Sequence, residues 1–247
     1  MTFDPSTLVD STKQVFDECS SVYLREDKHW GCDLDIISEC IEREDSPRVI
    51  ELGTGYAWHL GNIYFTCSTK LRRVVGVDYS PKMIDQARSF LSSIRIQDEP
   101  LSNVVELFQD DIQSLSFPDG SFDVALLLNN TLGNIASKDF VEARSNRRTV
   151  LSECCRVLAP SKRLVISVYN AARLTEEDRY GLVFELDPNL SKLETFDLVV
   201  RFKATGTPYY SHWFSDDEIR QLLYESGFLI ESLEHRRKRI VVVARKK

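Results

Sequence analysis

The feature that most restricts what this chain can fold into is a repeated change of hydrophobic period. Short β-branched runs, suited to strands buried on both faces, alternate with longer stretches whose apolar residues recur at helical spacing. That alternation predicts βα units on a mainly parallel sheet. Strands are expected at residues 48–52, 73–78, 104–109, 122–128 and 163–169, with helices at 60–69, 81–93 and 139–158. The second of these helices is well punctuated: Ser80 precedes Pro81, a residue tolerated at the first helical position, and Met83, Ile84, Ala87, Phe90 and Leu91 share a face. Farther on, Ser215 with Glu218 three residues later forms a capping-box pattern, and Gly227 is the stop. Runs at 228–233 and 239–244 must pair antiparallel, because only a short basic turn from Arg236 to Arg239 joins them.

Two segments stand outside the alternation. Residues 1–44 read as amphipathic helices and 171–214 as an insertion with extra strands. The expected architecture is therefore α/β: a doubly wound, mainly parallel seven-stranded sheet with an antiparallel carboxyl-terminal hairpin. A helical lid at 1–44 and an inserted lid at about 171–214 cover it, and residues 1–247 form one domain. No run approaches the roughly 18–20 apolar residues of a membrane span, and Met1–Asp10 has neither a basic nor an apolar leader segment, so the cytoplasm is the expected location. A formal charge of -7 argues against nucleic acid as a partner, since that binding runs on Lys and Arg. The six cysteines show no C-x-x-C pair, so they are expected to be reduced and no metal site is expected.

Chemistry is concentrated where strands end. Val49-Ile50-Glu51-Leu52-Gly53-Thr54-Gly55-Tyr56-Ala57 runs from an apolar strand into a loop with two glycines, which permits a tight turn and close backbone approach. A nucleotide-like ligand is implied, although an ordinary βα turn can carry the same glycines. Val74-Val75-Gly76-Val77-Asp78 is a second apolar strand ending in a carboxylate that can accept both hydroxyls of a ribose. After the third strand, Gln109-Asp110-Asp111-Ile112 offers an acid for an adenine amino group and an apolar side chain to cover the ring.

The series ELGTG, VVGVDYSPKMIDQAR, QDDI, SFDVALLLNNTLGNI and ECCRVLAPSKRLVISVYN resembles, in order and spacing, the successive motifs of the class I S-adenosylmethionine-dependent methyltransferases across about residues 46–170. The resemblance implies a Rossmann-like fold and S-adenosylmethionine as cofactor. It also implies that Glu51, Gly53, Thr54 and Gly55 lie under the methionine part, that Asp78 and Tyr79 meet the ribose, that Asp111 and Ile112 hold adenine and that Asn129 lies beside the sulfonium. Ala57 departs from the family's usual third glycine. Trp58, standing where a dinucleotide fingerprint needs glycine, argues against a dinucleotide.

The acceptor should lie beyond the fourth and fifth strands, whose ends carry Asn129, Asn130, Thr131 and Asn134, then Tyr169 and Asn170. An amide cluster there suits the amine or carboxylate of an amino acid. The run Thr207 to Phe214 is dense in aromatics, and Tyr23 and Trp30 could close the same pocket, because ring faces attract a sulfonium. Within that run Tyr210 and His212 are candidate catalytic groups, with His212 able to take a proton from an amine. Asn129, Asn134 and Tyr169 complete the catalytic candidates. The reading is a methyltransferase acting on a small polar, amino-acid-like molecule by in-line displacement, with no membrane partner and a homodimer left open. One alternative is a cyclase or aminocarboxypropyl transferase that consumes the same cofactor and releases 5′-methylthioadenosine. Another is a non-catalytic binding module of the same fold.

Overall fold

Val, Ile and Leu with no polar face make the central strands cheapest when covered on both sides, and the chain does this with a sheet between two helical layers. A computed structural model describes residues 7–23, 33–67, 70–137, 140–174, 184–186, 196–202 and 204–247. The strands are β1 Arg48–Leu52, β2 Arg73–Asp78, β3 Arg95–Ile96, β4 Glu99–Pro100, β5 Val105–Gln109, β6 Phe122–Leu127, β7 Leu158–Tyr169, β8 Phe184–Leu186, β9 Asp197–Phe202, β10 Pro208–His212, β11 Phe228–Arg236 and β12 Arg239–Lys246. The α-helices are α1 Thr7–Tyr23, α2 Leu34–Glu42, α3 Trp58–Thr66, α4 Pro81–Ser93, α5 Phe140–Val157 and α6 Asp216–Glu225.

Seven strands form the main sheet in the order β11-β12-β7-β6-β1-β2-β5. Neighbours from β7 to β5 are parallel, while β12 runs antiparallel to both β7 and β11. The chain leaves β1 toward β2 and β5, then returns to build β6 and β7 on the other side. The order thus reverses at β1, where such sheets open a crevice for ligand. Glu51 is level with Gly76 and Leu126, and Asp78 with Gln109, so the motif-bearing strand ends share one rim.

One face of the sheet packs against α5 and α6 through Leu151, Cys154, Ile219 and Leu223, the other against α2, α3 and α4 through Ile37, Ile41, Leu60 and Leu91. The Ser80 hydroxyl caps α4 by accepting from Met83 N at 3.1 Å. At α6 the expected capping box is only half formed: Ser215 accepts from Glu218 N at 3.2 Å, but the Glu218 carboxylate turns to His212. Helix α3 begins at Trp58 rather than Leu60, because Ala57 takes a left-handed conformation at φ 62° and donates to Thr54 O at 2.9 Å, tightening the loop. The basic turn is not wholly solvated as a bare charge run would be. Arg239 turns inward, 7% exposed, against Asp33 at 3.1 Å, and Arg236 pairs with Glu234 at 2.9 Å.

A second sheet, β10-β9-β8, comes from the insertion. Its inner residues Phe202 and Tyr209 pack with Val15 and Cys19 of α1 and Met83 of α4. The Thr12 hydroxyl accepts from Tyr210 N at 3.0 Å, and Asp17 accepts from the Ser80 hydroxyl, so α1 is fastened to the insertion and to the start of α4. Among the described residues no helix is long and apolar enough to cross a membrane.

Candidate active site

The loop after β1 is tied to the neighbouring strand end. Gly53 N and Thr54 N both donate to Val77 O, at 2.8 and 2.9 Å. Gly53 and Gly55 hold φ of +70° and +54°, where a side chain is strained. A Cβ on Gly53 would also stand 2.4 Å from Thr131 Cγ2, whereas one on Gly55 would meet nothing within 4 Å. The first glycine therefore packs loop against loop, and the second keeps open space for a ligand.

Asp78 sits beside this loop. Its Oδ2 accepts from Gly55 N at 2.8 Å and its Oδ1 from Ser80 N at 2.9 Å, leaving one lone pair on each oxygen for further donors. Burial pushes the carboxyl up to about 6; the Ser80 and Gly55 N–H groups oppose that shift, and Glu51 and Asp17 add to it. Glu51 is 2% exposed. It accepts from the Thr54 hydroxyl at 2.7 Å and lies 2.8 Å from His59 Nδ1, while His59 Nε2 is buried with no partner among the described residues.

These residues line a cavity of about 370 Å³. Asp111 and Ile112 line it as expected, with Asp111 Oδ1 accepting from Gln113 N at 2.9 Å. Tyr79 is there too, with Lys13 Nζ 3.9 Å above its ring. Lys13, Thr12 and Phe16 form a wall that α1 supplies. Farther along stand Asn129, Asn134, Ser137, Glu142 and Asn146. Asn129 Oδ1 accepts from Arg239 Nη1 at 2.5 Å. Asn134 Oδ1 is buried with no partner among the described residues, and Glu142 accepts from the Ser137 hydroxyl.

Other expected residues lie elsewhere. Asn130 is fully buried and structural: its Nδ2 donates to His212 O at 3.2 Å and its Oδ1 accepts from Tyr169 N at 3.0 Å. Tyr169, Tyr210 and His212 are not on the cavity wall. The Tyr169 ring lies against Trp213, centroids 5.0 Å apart and planes tilted by 43°. His212 is held on both sides, with Nδ1 2.7 Å from Asp197 Oδ1 and Nε2 2.9 Å from Glu218 Oε1, and Tyr210 donates to the same Asp197 while accepting from Arg147 at 2.8 Å. The histidine on the wall is His59, a residue outside the sequence motifs. Trp30 lies outside the described residues, as does the side chain of Tyr23.

The Asp197 network joins the inserted sheet to α5 and α6. Burial would raise the Asp197 carboxyl, but His212, Tyr210 and Arg147 together hold it below its ordinary 3.8. That contribution to stability is complete above pH 3.8 and lost as pH falls through the lower folded value. Asp197→Asn should cost about 2 kcal/mol, the loss of charged hydrogen-bond acceptance in a buried site, and urea denaturation would measure it. An unchanged midpoint would mean that the network holds nothing.

Residues 50–166 match the methyltransferase domain family. That match covers just under half of the chain, and over it the chain is similar to methyltransferases. A curated relative, an uncharacterized methyltransferase of Schizosaccharomyces pombe, is 27% identical over 200 residues, which are 79% of this chain; the match spans 64% of that relative's length. Among solved structures, a Pyrococcus horikoshii protein superposes with a TM-score of 0.65 at 19% identity, covering 87% of this chain and 88% of its own. A Burkholderia thailandensis 1,6-didemethyltoxoflavin-N1-methyltransferase, solved with that compound and S-adenosylhomocysteine, gives 0.64 at 16% identity, covering 100% of this chain and 92% of its own. That similarity implies S-adenosylmethionine as cofactor, and the residues present fit it. Asp78 has the free lone pairs that two ribose hydroxyls need, and Gly55 leaves open space beside it. The cavity also falls in the roughly 300–1,000 Å³ range of small-ligand sites.

Proposed function

We propose that this methyltransferase methylates a small polar, amino-acid-like molecule by in-line displacement. The observation that carries this reading is the pair of amide residues, Asn129 and Asn134, on the wall of the Asp78 cavity. Because Arg239 occupies the Asn129 oxygen, Asn129 offers its NH2 to a ligand. A donor and an acceptor amide in one cavity suit a compact molecule bearing both kinds of polar group.

When bound, the cofactor supplies a methyl group already activated by its sulfonium. Protein groups then need mainly to hold the nucleophile in line with that carbon and keep water away, which can provide much of the rate. Asn129 and Asn134 would orient the acceptor, and the apolar Leu128 and Ile135 beside them limit water. The same reading takes residues 1–247 as one unit in which α1 walls the cavity and the insertion braces α1.

The test is mass spectrometry after incubation with S-adenosylmethionine carrying a trideuteromethyl group and pools of small amines and amino acids. A trideuteromethylated product together with S-adenosylhomocysteine is expected. Release of 5′-methylthioadenosine with no acceptor present would replace methyl transfer by chemistry on the methionine chain.

A further inference from the structure

Asn129 lines the cavity just past the end of β6, and its side chain is gripped by a residue of another strand. Its Oδ1 accepts from Arg239 Nη1 at 2.5 Å. An amide is nearly symmetric in shape and would otherwise turn over at little steric cost. A guanidinium carries donors and no acceptor, so this contact fixes which way round the amide stands. Arg239 opens β12, is 7% exposed and pairs at 3.1 Å with Asp33, which is fully buried where α2 begins. Among the described residues neither Arg239 nor Asp33 lines the cavity. The amide thus stands between the ion pair and the cavity, and the end turned away from Arg239 is its NH2. The Asn129 backbone is held separately, since its N–H donates to Ser167 Oγ at 2.9 Å. What the ion pair adds is the orientation of the side chain.

We propose that Arg239, braced by Asp33, is a positioning residue that keeps the Asn129 NH2 toward the cavity, so that the ligand group beside Asn129 has to accept a hydrogen bond. A carboxylate or carbonyl oxygen of the methylated molecule suits that place, and an ammonium does not. The inference deepens the reading of a small polar substrate, and it rests on S-adenosylmethionine binding in the same cavity with its methyl group near Asn129. No bond is made or broken in it.

The test is calorimetric titration with two probes that differ where the transferred methyl would stand. S-adenosylhomocysteine has a bare thioether there, and sinefungin has a carbon bearing an ammonium in place of the sulfur and its methyl. The quantity read is the ratio of the two affinities. Removing one partner of a buried ion pair strands the other charge, so both are replaced together, Asp33→Asn with Arg239→Met, which leaves the net charge unchanged. The freed amide can then turn its oxygen to the ammonium, and the ratio should move toward sinefungin about tenfold, the size expected of a hydrogen bond to a charged group. In an Asn129→Leu background the same two substitutions should leave the ratio in place. A double variant that keeps the wild-type ratio would overturn the proposal, even if both probes bound more weakly, because a merely structural pair would behave in that way. An equal shift in the leucine background would also overturn it, since the amide would then play no part. If the double variant fails to fold, ¹⁵N relaxation of the wild-type Asn129 side-chain amide decides: an order parameter near that of rigid backbone, about 0.85, is expected, and one below about 0.6 overturns the proposal. Failure of the wild-type chain to bind either probe would remove the cofactor reading and this proposal with it, an outcome distinct from an unchanged ratio.

Discussion

Asp78→Asn is expected to weaken S-adenosylmethionine binding about a hundredfold near pH 7.5. Only the carboxylate can accept two ribose hydroxyls while still accepting from Gly55 N and Ser80 N, since an amide has a single acceptor oxygen and would point a donor at one of these N–H groups. Losing hydrogen bonds to a charged acceptor costs about 1.5–3 kcal/mol each, and about 2.7 kcal/mol is a hundredfold. Because burial raises the Asp78 carboxyl to about 6, wild-type affinity should fall roughly tenfold for each pH unit below that value, and the asparagine variant should lack this dependence. Folding gives a second reading of the same group. A carboxyl with a folded value above the ordinary 3.8 favours the folded chain fully below 3.8, and that advantage is lost as pH rises through about 6. The thermal midpoint of Asp78→Asn relative to wild type should therefore climb between about pH 4 and 6. Titration calorimetry and thermal melts across that range check both, and a pH-independent wild-type affinity would contradict the assignment.

Gly53→Ala is expected to cost about 2–5 kcal/mol of stability. The left-handed backbone contributes about 1–2 kcal/mol of strain, and forcing a methyl to within 2.4 Å of Thr131 Cγ2 adds about 1–3 kcal/mol of overpacking. For a chain of this size that lowers the melting midpoint by roughly 4–20 °C. The double variant Gly53→Ala with Thr131→Ala removes the collision but not the strain, so a double-mutant cycle should show strong coupling between the two positions. Additive losses would mean that the two loops do not touch. Gly55→Ala, with the same kind of backbone but open space around it, should lose only the strain and reduce cofactor affinity.

Motif residues of the donor half could be read from the chain because they lie at the ends of consecutive strands whose order is dictated by local pattern. Glu51, Asp78 and Asp111 fall on one cavity wall, since parallel register places their strand ends on one rim. The wall contributed by Thr12, Lys13 and Phe16 could not be read in this way. It depends on a helix docking against residues nearly two hundred positions away, as in the bond between Thr12 and Tyr210, and no local period encodes such a contact. Tyr210 and His212 drew attention as an aromatic run with a titratable ring. The same composition also builds a buried bracket, and which of the two it forms depends on Asp197 and Glu218, whose proximity the sequence does not announce. His59 was missed for the opposite reason: its partner Glu51 stands eight residues back across a glycine turn, and only the geometry of that turn brings the two together. Ser137, Glu142 and Asn146 carry no motif, and they reach the cavity because α5 starts at its edge.

The span matched to the methyltransferase domain family, residues 50–166, ends before the two strands that seal the sheet beside β7 and begins after α1. A fragment trimmed to that span would keep Gly53, Asp78 and Asp111 yet strip Val241 and Val243 from the apolar layer they complete. It would also strip Val15 and Cys19 from Met83. Homology therefore outlines the proposed nucleoside grip but not the smallest piece able to stand in water. Shortening the gene from either end would uncover oily surface before it removed any residue of the grip, so insolubility, rather than a well-folded inactive protein, is the outcome that such trimming courts.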